Sequence, residues 1–131
     1  MKYLLDTDTL IDFLQDRGST RKRVTAFIEA DDDVALCAIT VAEVFSGLSE
    51  KHRKQWSDWL PSLPYWHIDW ESAMQAGIDR KQASEAGRAL SVTDSLLASL
   101  ARQHDATLLT SNIKHYPMKD VRVLSLRDDA A

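Results

Sequence analysis

Residues 3–14, YLLDTDTLIDFL, decide the fold. The segment opens with a short apolar run, which is typical of a buried strand in a parallel sheet. The carboxylates of Asp6 and Asp8 follow at the end of that strand, and apolar side chains then recur at helical spacing over residues 10–14. A strand that leads through two acids into a helix is the first half of a βαβ unit.

Strand and helix patterns alternate along the rest of the chain. Further strands are predicted at 34–39, 65–68, 107–110 and 121–124, and helices at 24–28, 40–48, 56–60, 71–85 and 93–104. This alternation predicts an α/β fold with right-handed crossovers and a central parallel sheet flanked by helices. In such folds ligands bind beyond the carboxyl ends of the strands, which is where functional side chains are expected.

Length and composition limit the function classes. The 131 residues are expected to form a single domain, with a frayed tail at 127–131. The net charge of −4 argues against binding nucleic acid through bulk positive charge. The lone cysteine excludes a cysteine-based zinc site and, with no signal peptide or membrane-spanning apolar run, predicts a cytoplasmic protein.

Polar and acidic residues fall repeatedly at predicted strand ends and helix starts. Asp6 and Asp8 end the first strand, Glu43 and Asp94 begin helices, and Asn112 follows the strand at 107–110. These positions converge on one edge of a parallel sheet. Several carboxylates in one cleft require raised pKa values or a cation, and Mg²⁺ or Mn²⁺ suits an oxygen-only site. Such a site is suited to phosphoryl chemistry, for which a metal would activate a water and neutralise the developing oxyanion.

Each of these residues also has a structural interpretation. Asp6 or Asp8 would cap a helix beginning at Thr9. Thr40-x-x-Glu43 matches a capping box. The helix dipole favours Asp94 in a first turn, and Asn112 is a common turn residue.

Four ordered motifs resemble the PIN-domain family, and more narrowly the VapC-type toxin ribonucleases of toxin–antitoxin pairs. They are LLDTDTLIDFL at 4–14, TVAEVFSGL at 40–48, SVTDSLLASLA at 91–101 and LLTSNIKHY at 108–116. The resemblance implies a PIN-like three-layer α/β/α sandwich. It also implies a metal-dependent endoribonuclease with an RNA substrate, an inhibiting antitoxin protein and a homodimeric state.

The resemblance assigns roles to particular residues. Asp6, Glu43 and Asp94 match the acids expected to hold Mg²⁺ or Mn²⁺. Asn112 stands where many members have aspartate, so it is expected to assist through water, and Asp8 is a further metal-ligand candidate.

Neighbouring residues receive supporting roles. Thr7, Asp8, Thr110 and Ser111 are expected to orient the acids. Arg88 matches a frequent basic position near the third acid, and it is either a phosphate contact or a surface or helix-end charge. Clustered cations including Arg21 and Arg23 are either a solvated face or an RNA-tracking rim.

Other function classes remain open from the sequence. A degenerate PIN domain would bind a partner without cleaving RNA. Asp6-Thr7-Asp8 also resembles the D-x-D of a haloacid-dehalogenase-type phosphatase with Asp6 as nucleophile. Against the phosphatase, Leu10 replaces the expected Thr or Val, and Asp128-Asp129 comes too late for the second acidic pair. A receiver-like phospho-acceptor lacks its central aspartate, since residues 38–40 are Ala-Ile-Thr.

Overall fold

A computed structural model of the chain describes residues 1–127. The predicted tail lies outside the described residues except for Arg127, as does the Asp128-Asp129 pair. The strands are β1 (Lys2–Leu5), β2 (Asp33–Ala35), β3 (Thr107–Leu109) and β4 (Arg122–Leu124). The α-helices are α1 (Thr7–Leu14), α2 (Thr20–Glu29), α3 (Ala38–Ser46), α4 (Glu50–Ser57), α5 (Trp70–Glu85) and α6 (Val92–Gln103). Single 3₁₀ turns lie at Leu60–Ser62 and Ile113–His115.

The four strands form one parallel sheet in the order β2-β1-β3-β4. In its register Leu4 of β1 lies opposite Ala35 of β2 and Leu108 of β3. Because every strand runs the same way, all carboxyl ends meet at one edge. The two central strands, β1 and β3, bring residues about a hundred positions apart into contact there.

Helices cover both faces of the sheet because successive β1 side chains point to opposite sides. Tyr3 and Leu5 pack with residues of α1–α4, while Leu4 packs with Leu97 and Leu100 of α6. Helix α5 covers α6 on the outside. The predicted three-layer α/β/α sandwich with a central parallel sheet is therefore confirmed.

Two predicted strands are wrong in extent. Residues 34–39 were expected to be extended, but β2 ends at Ala35 and α3 begins at Ala38. Residues 65–68 were expected to form a strand, but only a single parallel bridge joins Tyr65 to Leu36. The early start of α3 explains the second error, because it leaves only Leu36 and Cys37 as extended chain beside residues 65–68.

The first helix begins two residues earlier than expected. Helix α1 starts at Thr7 rather than Thr9, because extended Asp6 accepts a 2.7 Å hydrogen bond at Oδ1 from the backbone N–H of Thr7. Asp6 is thus the N-cap, and its side chain has a capping role alongside any chemical one. Among residues 1–127 no helix is long and apolar enough to cross a membrane.

Candidate active site

Asp6 lies buried at the carboxyl edge, where β1 meets β3. Its carboxylate accepts hydrogen bonds at Oδ2 from the hydroxyls of Thr110, at 2.8 Å, and Tyr116, at 2.9 Å. Burial raises the pKa of the Asp6 carboxyl above its ordinary value, whereas the hydrogen bonds from Thr110, Thr7 and Tyr116 act to lower it. No basic side chain among residues 1–127 pairs with Asp6, and a buried carboxylate in that state is the kind of group that a cation stabilises.

Asp94 approaches from the first turn of α6. Ser91 caps that helix by accepting a hydrogen bond from the backbone N–H of Asp94 at 3.1 Å. The Asp94 side chain is therefore not the cap. Its Oδ1 accepts from the Tyr116 hydroxyl at 3.2 Å, and its Oδ2 lies 3.5 Å from Nδ1 of His115.

The Tyr116 hydroxyl thus lies between two carboxylates, those of Asp6 and Asp94. Tyr116 is only 5% exposed. Burial, followed by the charges of Asp6 and Asp94, raises the pKa of its phenol far above the ordinary value. The phenol therefore stays protonated and acts as a neutral hydrogen-bond donor at the centre of the site.

Glu43 contacts the site from the middle of α3. It is exposed, and its Oε1 accepts a 2.8 Å hydrogen bond from the hydroxyl of Thr7. The capping-box interpretation is wrong, because Cys37 occupies the N-cap position and Thr40 lies inside the helix. The fully buried Thr40 hydroxyl instead donates to the backbone oxygen of Leu5 at 3.0 Å. That bond ties the helix that carries Glu43 to the end of β1.

Asp8 joins the two loops of the site. At Oδ2 it accepts hydrogen bonds from the backbone N–H of Ser111 at 3.1 Å, from the Ser111 hydroxyl, and from Nδ2 of Asn112 at 3.1 Å. Its Oδ1 accepts from the backbone N–H of Thr9 at 2.8 Å. Asp8 therefore orients Ser111 and Asn112, and this crowding of donors leaves it less suited than Asp6 or Asp94 to bind a metal.

The predicted metal ligands do not form one compact cluster. Among residues 1–127 no group of three or more His, Cys, Asp or Glu side chains is placed to hold a metal ion. Asp6 and Asp94, however, both lie within hydrogen-bonding distance of one hydroxyl. Mg²⁺ commonly uses one or two carboxylates and keeps several waters or substrate phosphates. The donor set therefore fits an ion of this type through a pair of carboxylates.

The three predicted RNA-binding arginines differ in their surroundings. Arg88 is exposed and lines a groove shared with Asp94. Arg21 donates from Nε and Nη2 to the backbone oxygens of Phe13 and Leu14, both at 2.9 Å, at the end of α1. Arg23 donates to the backbone oxygen of Leu126 at 3.4 Å. Of the three, Arg88 is the one that the structure places beside the acids.

Sequence reasoning missed Tyr116 and His115 as site residues. Both stand at the end of the quoted motif at 108–116, in and directly after the 3₁₀ turn that follows Asn112. The contact of Tyr116 with Asp6 depends on the pairing of β1 with β3, whereas His115 contacts Asp94. The signal available in the sequence was a tyrosine, Tyr116, four residues after Asn112, which follows strand β3.

Fold and site together define a class: a three-layer α/β/α protein with an acidic site at the carboxyl edge of its parallel sheet. The family model described as PIN domain matches residues 3–121. The chain belongs to the PIN domain family. The resemblance drawn from the four sequence motifs is confirmed at that level.

Individual relatives extend this comparison. Ribonuclease VapC19 of Mycobacterium tuberculosis is 23% identical over 115 residues, which are 88% of this chain and 92% of that protein. The crystal structure of VapBC2 from Rickettsia felis, bound to a DNA fragment from its promoter, matches with a TM-score of 0.83 at 21% identity, covering 97% of this chain and 100% of the other. FitAcB from Neisseria gonorrhoeae matches with a TM-score of 0.74 at 26% identity, covering 93% and 96%.

Proposed function

We propose that the protein is a Mg²⁺- or Mn²⁺-dependent endoribonuclease, the toxin of a toxin–antitoxin pair. The observation that carries this proposal is the pair of carboxylates, Asp6 and Asp94, joined by one buried hydroxyl at the carboxyl edge of the sheet. Membership of the PIN domain family and the similarity to a protein named ribonuclease VapC19 support it.

The chain's own side chains divide the work. Asp6 and Asp94 would hold the metal ion, with Tyr116 keeping their oxygens at a set separation. When bound, Mg²⁺ or Mn²⁺ supplies Lewis-acid chemistry that lowers the pKa of water and offsets charge on a phosphodiester. Glu43 uses one oxygen to accept from Thr7, which leaves the other to orient water or the ion. The amide oxygen of Asn112 would orient water, while its nitrogen donates to Asp8.

A cognate antitoxin is the proposed protein partner. Two further similar solved structures are a toxin–antitoxin complex from Klebsiella pneumoniae and a member of the VapBC family of toxin–antitoxin systems from Mycobacterium tuberculosis. We propose that this chain forms a homodimer and that an antitoxin inhibits it. Its substrate, RNA, makes the cytoplasm its proposed place of action.

The test is RNA cleavage by the wild type and by Asp94→Asn. The wild type should cleave RNA with Mg²⁺ and stop when a chelator is added. Asp94→Asn retains an oxygen to accept from Tyr116, so it should remain folded while kcat falls by about 100-fold or more. Asp31→Asn is the matched control: Asp31 is exposed, precedes β2 at the opposite edge of the sheet, and has a positive φ of 63° that asparagine tolerates.

The outcomes separate the proposal from its alternatives. Cleavage by Asp94→Asn at the wild-type rate would contradict the site assignment. Metal and antitoxin binding by a wild type that cleaves no RNA would favour the degenerate, partner-binding PIN domain. A covalent phosphate adduct on Asp6 would favour the phosphatase, although the family match and the three hydrogen bonds that occupy this carboxylate count against it.

A further inference from the structure

A groove of about 650 Å³ opens directly beside Asp94. Its charged lining consists of that carboxylate and four basic or titratable side chains: Arg80, Arg88, Lys114 and His115. Three of these are arginine or lysine side chains, so the groove is locally positive in a chain whose net charge is −4. One end of this basic groove, as we call it, is therefore part of the candidate active site.

The cations come from three separate segments of the chain. Arg80 lies on α5, and its Nε donates to the backbone oxygen of Leu90 at 2.9 Å, which holds the loop that leads to α6. Arg88 lies in that loop, just after Gly87 reverses the chain with a positive φ of 78°. Lys114 lies in the 3₁₀ turn that follows β3. Their meeting in one groove is a product of the tertiary fold.

In the described part of the chain, two of these cations have no partner for their charged groups. The guanidinium of Arg88 and the ammonium of Lys114 make no hydrogen bond or ion pair within residues 1–127, unlike Arg80. For Arg88 only the backbone is engaged, its N–H donating to the oxygen of Ala83 at 2.8 Å in the cap of α5. A fixed backbone with an unpaired charged side chain is suited to binding an external anion.

The basic groove continues away from the acids. A second depression of about 470 Å³ shares Arg80, Arg88 and Leu90 with it and adds Lys81. Lys81 also lies 4.0 Å from the carboxylate of Glu85, so it is mainly Arg80 and Arg88 that extend positive charge along a path from Asp94 over the end of α5. A linear polyanion with one phosphodiester at the carboxylates has its neighbouring phosphates available to such a path.

We infer that the basic groove binds the phosphate backbone of single-stranded RNA, with Arg88 and Lys114 each contacting a phosphate next to the one presented to Asp6 and Asp94. The inference rests on the proposed function, since RNA is the substrate proposed there. Contacts of this kind fix the position of the strand without reading its sequence. The groove accordingly supplies register and affinity, and leaves base selection to other parts of the surface.

The test is the salt dependence of RNA binding. A fluorescent single-stranded RNA is titrated with full-length protein in EDTA, which prevents metal-dependent cleavage, over a series of KCl concentrations. Each phosphate contact on a single strand contributes about −0.7 to the slope of log K against log [salt], so Arg88→Ala with Lys114→Ala should flatten the slope by about 1.4. The charge-matched control is Arg53→Ala with Lys54→Ala on α4, whose exposed side chains do not line the groove. It should retain the wild-type slope.

Two results overturn the inference. One is a slope for the Arg88/Lys114 double variant that equals the wild-type slope. The other is an equal flattening of the slope in the Arg53/Lys54 control, which would mean that the salt dependence reflects overall charge rather than this groove. If the double variant instead loses antitoxin binding with an unchanged RNA slope, the groove is a protein interface and the inference is wrong.

Cleavage assays keep the groove separate from the proposed function. RNA cleavage by the wild type with an unchanged slope in the double variant rejects the groove alone. A flattened slope in the double variant, together with a wild type that cannot cleave RNA, rejects the nuclease and retains the groove. If the proposed function and the groove inference are both correct, the double variant should show a raised KM with kcat little changed.

Discussion

Replacing Tyr116 by phenylalanine should destabilise the metal-free protein by about 2 kcal/mol. The substitution removes one buried hydroxyl and leaves the ring. It deletes a donor that lies 2.9 Å from Asp6 Oδ2 and 3.2 Å from Asp94 Oδ1. Asp6 keeps its bond from the Thr110 hydroxyl, and Asp94 is exposed enough for water to replace part of what it loses.

The magnitude follows from the two contacts. A hydrogen bond to a charged group contributes about 1.5–3 kcal/mol, and a single phenolic proton serves only one carboxylate at a time. The two oxygens are no more than about 6 Å apart, so at an effective dielectric of 20 they repel by about 3 kcal/mol or more. That repulsion is present with or without the hydroxyl, so it largely cancels when the variant is compared with the wild type. One strong hydrogen bond is the dominant loss, hence about 2 kcal/mol, or a lowering of Tm by about 6–8 °C.

Urea denaturation in EDTA measures this loss, with Tyr3→Phe as the matched control. Tyr3 is also buried, at 7% exposure, and stacks on Phe27 at 4.2 Å, but its hydroxyl makes no hydrogen bond within residues 1–127. Its variant should stay within about 0.5 kcal/mol of the wild type. Because the Tyr116 hydroxyl positions Asp6 and Asp94, Tyr116→Phe should also lower kcat by about 10–100-fold.

Either of two results would refute the reasoning. If Tyr116→Phe unfolds at the wild-type midpoint, the hydroxyl does not hold the two carboxylates. If Tyr3→Phe loses as much stability, the effect belongs to any buried phenol in this fold rather than to the bridge.

Two further predictions concern the supports of the fold. Thr40→Val should cost about 1–3 kcal/mol in urea denaturation, because a fully buried hydroxyl loses its 3.0 Å bond to Leu5; a loss no larger than that of the exposed Thr93→Val would contradict this. Burial, and then the charge of Lys2, lowers the pKa of His104 below its ordinary value, so the unfolded chain binds that proton more tightly. The stability from neutral His104 is thus present above about pH 6.5 and lost as pH falls through the lower folded-state pKa. His104→Phe keeps the 3.9 Å stack on Trp66 and should flatten the stability profile between about pH 8 and 5; an unchanged profile would count against this.

The elements that the sequence predicted well are those with a local cause. An apolar run followed by helical spacing is visible within residues 3–14, and the acids at its junction mark the carboxyl edge without any tertiary information. The same holds for Asp94, which follows Ser91 at the spacing of a helix cap. For these residues neighbours along the chain are sufficient to predict position.

The errors arose where a distant contact overrides the local pattern. Thr40 and Glu43 have the spacing of a capping box, yet the Thr40 hydroxyl donates to the end of β1, and α3 begins at Ala38. Tyr116 was missed for the same reason, since its two partners are 110 and 22 positions away. Hydrogen bonds of that range depend on strand pairing, which composition and spacing do not encode.

The coexistence of an acidic site and a basic groove follows from helix direction. Asp6 and Asp94 stand at the amino ends of α1 and α6, where the helix dipole favours negative charge. Arg88 stands just beyond the carboxyl end of α5, where the dipole favours a cation. Because α5 runs antiparallel to α6 and only the loop at 86–91 separates them, the cationic end of one helix must adjoin the acidic start of the next. The net charge of −4 is therefore a poor guide to binding, since backbone direction sorts the two signs into neighbouring parts of one surface.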